Sequence, residues 1–158
     1  MIRAATTADR EYLENALPAM SAHAKAGPSR SPFLADLPDE PREQERELVE
    51  RHLNDPAFFA LICERDGERA GCLMAGIEAA SVGWTDRPIG HISICWVEPS
   101  ARRRGVAAEL TAAAEKELRH RGADLAELSY IVGNPEAEAA WERLGYEPHQ
   151  VRAVKRLR

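Results

Sequence analysis

VEPSARRRGVAAEL, residues 97–110, joins a strand-like run to a helix-like run through three consecutive arginines and a glycine. On its N-terminal side, IGHISICWVEP (89–99) reads as a strand stopped by Pro99, because proline lacks the N–H that a sheet ladder needs. On its C-terminal side, RGVAAELTAAAEKELRHRG (104–122) places Val106, Leu110, Ala113, Ala114 and Leu118 at helical spacing. His120 and Arg121 suit the negative end of that helix, and Gly122 suits its C-cap. A strand that turns directly into a helix leaves the first helical N–H groups unpaired, and with the helix dipole they bind phosphate. Gly105 and Ala107 let a ligand approach the backbone around Val106, and Arg102, Arg103 and Arg104 add positive charge there. The competing reading is a basic patch for nucleic acid. No aromatic residue is interleaved with the arginines and the chain carries a net charge of −5, so no nucleic-acid partner is expected.

Working outward, LAELSYIV (125–132) reads as the next strand, which makes residues 94–132 a β-α-β unit with parallel strands. Upstream, AFFALICER is ended by the hairpin signal DGE, RAGCLMAGIEAASV returns, GWTDRP turns the chain, and IGHISICWVEP follows. These three strands form an antiparallel meander. The whole is α/β: a mixed, mostly antiparallel central sheet flanked by helices, in one domain over residues 1–158. A first helix from Asp9 or Thr7 to about Met20 has Tyr12, Leu13, Leu17 and Met20 on one face. A second, from about Pro41 to Asn54, buries Leu48, Val49, His52 and Leu53. Between them, residues 21–41 hold four prolines and little periodicity, which predicts a long, flexible loop on the substrate side. NPEAEAAWERLG is a short helix with Asn134 as N-cap, Pro135 at its first position and Gly145 at its end. HQVRAVKRL reads as a last strand.

Composition limits the function classes. Hydrophobic residues are 44% and charged residues 30% of the 158, as in a soluble globular protein. No N-terminal apolar run resembles a signal peptide and no segment reaches membrane-spanning length, so a cytoplasmic protein without a membrane partner is expected. Cys63, Cys72 and Cys95 are odd in number and lie in apolar runs, as small buried hydrophobes of a reducing compartment. No closely spaced His/Cys set suggests a metal. An acidic surface suits a cationic substrate.

The loop lacks the GxxxxGK[ST] and GxGxxG patterns. Arg102-x-x-Gly105-x-Ala107, directly after a strand and opening a long helix, resembles the pyrophosphate loop of the GNAT superfamily of acyl-CoA N-acetyltransferases. VEPSARRRGVAAEL resembles that family's first signature, NPEAEAAWERLGYEP its second, and IRAATTADREYL its usual first strand and helix. The resemblance spans nearly the whole chain apart from residues 21–41. It implies a GNAT fold with acetyl-CoA as cosubstrate and direct attack by an amine in a ternary complex, with no covalent enzyme intermediate. It also implies that backbone groups of Cys95 and Val97 pair with the pantetheine arm. An N–H near Val97 then stabilises the oxyanion. Asn134 meets the cofactor's pantetheine side in such enzymes, or is a plain N-cap.

Alternation along residues 91–97 places His91, Ser93, Cys95 and Val97 on one face. In similar enzymes the positions two and four residues before Cys95 point into the active site. His91 is therefore the first candidate for the base, Glu78 on the preceding strand the second, and Ser93 a third, acting through water. One departure stands out: the family often has a tyrosine seven residues after the asparagine, and Trp141 stands there. Indole donates but does not ionise usefully, so the usual general acid is missing. Tyr130 and Tyr146 are the nearby phenols. The acceptor site is expected from the first two helices, the 21–41 loop and the 79–88 turn, with Phe33, Leu34, Asp36, Trp84 and Asp86 as lining. Asp36, Asp39 and Glu40 either attract a cationic amine or form an ordinary polar loop. The expected acceptor is a small-molecule primary amine. The alternatives are a protein lysine or N-terminus, or a non-catalytic acyl-CoA sensor. A monomer or homodimer is expected.

Overall fold

A computed structural model describes residues 1–78 and 87–157. Its central sheet has the order β1 (Ile2–Ala4), β2 (Phe58–Arg65), β3 (Glu68–Glu78), β4 (Ile89–Val97) and β5 (Leu125–Leu128). β1 to β4 are antiparallel neighbours, and β5 joins β4 in parallel. The expected meander and β-α-β unit are both present. Asp66 (φ 54°) and Gly67 (φ 81°) make the two-residue turn between β2 and β3. Both central residues have positive φ, the geometry that follows the twist of a hairpin.

Helices cover both faces of the sheet. On one face lies α3 (Val106–His120), whose Val106, Leu110, Ala114 and Leu118 bury against Leu73, Ala75 and Ile92. Their four-residue spacing is the reason this segment is an amphipathic helix, and each fully buried leucine contributes about 2 kcal/mol. On the other face lie α1 (Arg10–Ala26) and α2 (Glu43–Asn54), where Leu13, Ala16 and Val49 meet Ile62, Met74, Ile94 and Trp96. A final helix, α4, spans Pro135–Arg143.

A buried carboxylate ties β1, β3 and the start of α1 together. Asp9, with its side chain 1% exposed, accepts from Arg3 Nη1 at 2.7 Å and from Arg69 Nε at 2.8 Å. The Arg3 guanidinium, ahead of burial and the Thr6 N–H, sets the balance and holds the Asp9 carboxyl well below the usual carboxylate range.

Four sequence expectations change. α1 continues past Met20 to Ala26, absorbing part of the expected 21–41 loop despite Pro18 inside it. The remainder contains a 3-10 turn over Pro32–Asp36, capped by Ser31 Oγ accepting from Phe33 N–H. α2 begins at Glu43, because Arg42 is extended. Of LAELSYIV, only Leu125–Leu128 is strand. HQVRAVKRL forms no strand, and Val151, Val154 and Leu157 are exposed. The physical reason is their spacing of three: a strand has period two, so these residues cannot share one face of a sheet.

Candidate functional site

β4 and β5 pair only from Ile89↔Leu125 to Ile92↔Leu128. Beyond Ile92, β4 keeps its β3 neighbour and the chain after β5 diverges. The Glu98 N–H donates to Ala70 O at 3.0 Å, so Glu98 points towards β3. Strand alternation then turns the N–H and C=O groups of Val97 and Cys95 the other way, into the opening. Arg102 Nε reaches Val97 O from that side at 3.2 Å.

A loop completes the opening. After a 3-10 turn over Pro99–Ala101, Arg103 (φ 58°) and Gly105 (φ 81°) are both left-handed, and α3 starts at Val106. The amides of Arg103, Arg104 and Gly105 bond to no backbone carbonyl among the described residues. Those of Val106 and Ala107 belong to the unpaired first turn of a fifteen-residue helix. A Cβ on Gly105 would meet only Glu109 Oε1, at 3.9 Å. The space in front of this backbone is open, and the arrangement fits a diphosphate. Arg103 and Arg104 extend into solvent beside it. Arg102 folds back instead: its guanidinium lies 5.0 Å from the Trp96 ring centre and Nη1 donates to His23 Nδ1 at 3.2 Å. His23 Nε2 in turn donates to Glu136 Oε2 at 3.0 Å, which joins α1 to the start of α4. Asn134 caps α4, its side-chain oxygen accepting from the Ala137 N–H at 3.3 Å.

The opposite side of β4 departs from the sequence reading. Met74 pairs with Ile94 but Ala75 pairs with Ile92, so Ser93 is an extra residue, a β-bulge. Two successive residues at a bulge share a face, and the alternation shifts across it. Cys95 and Val97 therefore pack towards α3 with Ile92, while Ile94 and Trp96 face α1 and α2. His91 and Ser93 belong to this second face. The expected single set of His91, Ser93, Cys95 and Val97 is split in two, because no glycine or proline in ISIC signals the extra residue.

What the bulge gathers was only partly foreseen. His91 sits in register with Glu127 on β5, with its buried Nδ1 3.4 Å from Glu127 Oε1 but outside hydrogen-bond geometry. Ser93 Oγ lies 3.4 Å from His52 Nε2. His52, 2% exposed on α2, donates its Nδ1–H to Leu48 O at 2.7 Å. Burial lowers its pKa below the ordinary value, with the Leu48 carbonyl pulling the other way. Glu78 stands at the rim, 3.8 Å from Arg51, whose guanidinium stacks on Phe58. Sequence reasoning placed His52 on the buried face of α2 without a role, and it passed over Glu127. Glu127 becomes visible only once the β4–β5 register is known.

The remaining candidates sort plainly. Burial pushes the Cys95 thiol up to about 12, so it is no thiolate nucleophile at neutral pH. Tyr146 donates to Glu115 Oε1 at 3.2 Å, packs against the α3 core and has its phenol pushed up by burial; Trp141 meets its edge at 5.5 Å. Phe33 is 52% exposed, and Asp36 is exposed with its carbonyl taken by Arg42. Asp39 is paired with Lys25 at 2.6 Å. Leu34 is buried. Trp84 and Asp86 lie outside the described residues. Among the described residues no group of three or more His, Cys, Asp or Glu side chains is arranged to hold a metal. No described helix is long and apolar enough to cross a membrane.

The sequence model of the acetyltransferase (GNAT) family matches residues 26–146. A mycothiol acetyltransferase of Thermobispora bispora is 36% identical over 92 residues, covering 58% of this chain and 30% of the relative. A mycothiol acetyltransferase of Streptomyces avermitilis is 30% identical over 120 residues, covering 74% of this chain and 37% of the relative. The chain thus spans about a third of the length of these curated relatives. Among solved structures, the aminoglycoside N-acetyltransferase AAC(6')-Iy in complex with CoA superposes with a TM-score of 0.72 at 21% identity, covering 100% of this chain and 99% of the other. That likeness is one of fold.

Proposed function

The chain belongs to the acetyltransferase (GNAT) family, and from that premise we propose that it is a cytoplasmic, acetyl-CoA-dependent N-acetyltransferase acting on the primary amine of a small cationic molecule. The observation that carries this reading is the opening beyond Ile92, where strand backbone and a left-handed loop stand in line on one side of β4. The cosubstrate supplies an activated acetyl thioester. The amides from Arg103 to Ala107 hold its diphosphate, with the Arg103 and Arg104 side chains adding charge. The backbone of Cys95 and Val97 pairs with its pantetheine, whose other side meets Asn134. An N–H in the opening near Val97 polarises the thioester carbonyl. On the far side, His91 takes the proton of the attacking amine, with the Glu127 carboxylate 3.4 Å from its Nδ1. The Glu127 carboxylate beside His91 gives that side an anionic group suited to an ammonium ion. Small-molecule acceptors in the names of the mycothiol and aminoglycoside acetyltransferases support this substrate class.

The test is an acceptor screen with detection of released CoA thiol. The panel holds spermidine, neamine, glucosamine and a lysine-containing peptide. Thiol release with a small amine is expected. Release with the peptide alone would make the protein a protein acetyltransferase. Tight acetyl-CoA binding with no release across the panel would make it a sensor.

A further inference from the structure

His52 and Ser93 form an arrangement that the reading above does not use. The Leu48 carbonyl can only accept, so the 2.7 Å contact places the imidazole proton on Nδ1. In the neutral ring, Nε2 then carries a lone pair, and it faces Ser93 Oγ at 3.4 Å. Ser93 must donate its hydroxyl proton into that lone pair, which turns the oxygen lone pairs away from α2. Ser93 is also the residue at which β4 and β5 part: it is absent from the β3–β4 register and stands one residue beyond the last β4–β5 pair. A polar side chain is thus held in one orientation at the apex of the cleft.

We propose that Ser93 is the side chain that accepts a hydrogen bond from the attacking amine, and that His52 is a positioning residue that fixes the polarity of the Ser93 hydroxyl. This rests on the transferase reading above. The amine arrives as an ammonium ion and loses one proton to His91. One of its remaining N–H groups bonds to Ser93 Oγ, which directs the nitrogen lone pair towards the thioester. The bond formed is N–C(acetyl) and the bond broken is C–S; the second amine proton leaves with the thiolate sulfur as CoA thiol. If His52 gains a proton, Nε2 becomes a donor. Ser93 Oγ then accepts from His52 and presents its own O–H to the amine, which repels the N–H group. The groups acting on His52 are Arg51 on its own helix, Glu78 from β3 and His91 from β4, with the Phe58 ring of β2 edge-on at 5.1 Å. Burial keeps the ring neutral to lower pH than a free histidine, so the productive polarity persists through neutral pH.

The experiment is a double-mutant cycle on the amine of the panel with the highest kcat/KM. Ser93→Ala is expected to raise its KM about tenfold, the size of one hydrogen bond, with acetyl-CoA affinity unchanged. Ser93→Thr, which keeps the hydroxyl, should stay within about twofold. His52→Asn keeps a donor for Leu48 but cannot reach Ser93. It should raise KM like Ser93→Ala and add nothing in the Ser93→Ala background. Imidazole ¹⁵N shifts should report His52 as the Nδ1–H form at neutral pH. Additive effects of the two substitutions, or Ser93→Thr as impaired as Ser93→Ala, would overturn the proposal. If His52→Asn unfolds, the Ser93 pair and the ¹⁵N shifts decide alone. If no amine turns over, the transferase reading fails separately, and the same comparison is made on the calorimetric Kd of spermidine.

Discussion

The two sides of β4 are built from different materials. Towards the opening, the groups proposed to hold the cofactor are main chain: Cys95 and Val97, then the amides of Arg103 to Ala107, within thirteen residues. Towards α1 and α2 they are side chains from three separate elements: His52 from α2, His91 and Ser93 from β4, and Glu127 from β5. The first side follows from local chain conformation. The second exists only after a bulge, a parallel register and a helix packing have been set. One kind of site leaves a continuous trace in sequence, and the other scatters.

The sharpest way to break this contrast is Gly105→Glu. At φ 81° a side chain costs about 1–2 kcal/mol, and the surrounding protein leaves room for it. The folded variant should lose at least 100-fold in acetyl-CoA affinity and show no ligand-induced rise in melting temperature. Normal binding by the variant would mean that the loop backbone does not hold the cofactor.

His91→Ala tests the other side. Turnover should fall about 100-fold, the usual size of a general-base contribution, while acetyl-CoA still raises the melting temperature as in the wild type. A matching loss of cofactor binding would merge the two sides into one. An unchanged pH–rate profile would remove His91 from the proton path.

The contrast explains what could be read beforehand. Val106, Leu110, Ala114 and Leu118 announced α3, Pro99 and Gly105 bracketed the loop, and Asp66-Gly67 closed the first hairpin, since each is a local signal. Ser93 gave none: ISIC alternates as cleanly as an unbulged strand, and the extra residue shows only in the partner register. Glu127 was invisible for the same reason. HQVRAVKRL reads as a strand, but the spacing of three between Val151, Val154 and Leu157 denies it an apolar face. His52 was placed on the correct helix face. Its chemistry depends on Leu48 O and Ser93 Oγ lying on either side of the ring, and no periodicity encodes that.

A smaller effect separates backbone from charge within the loop itself. Arg103→Ala with Arg104→Ala removes two exposed guanidinium groups but no amide. Acetyl-CoA binding should weaken only about fivefold at low salt, and the difference from wild type should shrink by 0.5 M salt as screening removes the charge term. A loss as large as that of Gly105→Glu, persisting in high salt, would return the decisive role to the arginines.

The smallest expected effect concerns stability on the side-chain face. The folded-state pKa of His52 is lowered from the ordinary 6.5 by burial. Below 6.5 the unfolded chain binds a proton at this position that the folded chain refuses, so stability rises with pH in that window. The loss therefore starts as pH falls through 6.5 and continues down to the depressed folded value. Asp9 adds almost no slope between pH 7.5 and 5.0, because its carboxyl is ionised in both the folded and the unfolded chain there, and its own contribution is lost only as pH falls below the ordinary 3.8. Urea midpoints measured from pH 7.5 to 5.0 should fall more steeply for the wild type than for His52→Asn, since the other histidines are common to both proteins. Parallel slopes would show that His52 takes its proton in the folded protein as readily as in the unfolded chain. The ring would then not be held neutral against Ser93, and the face built from side chains would lack its buried anchor.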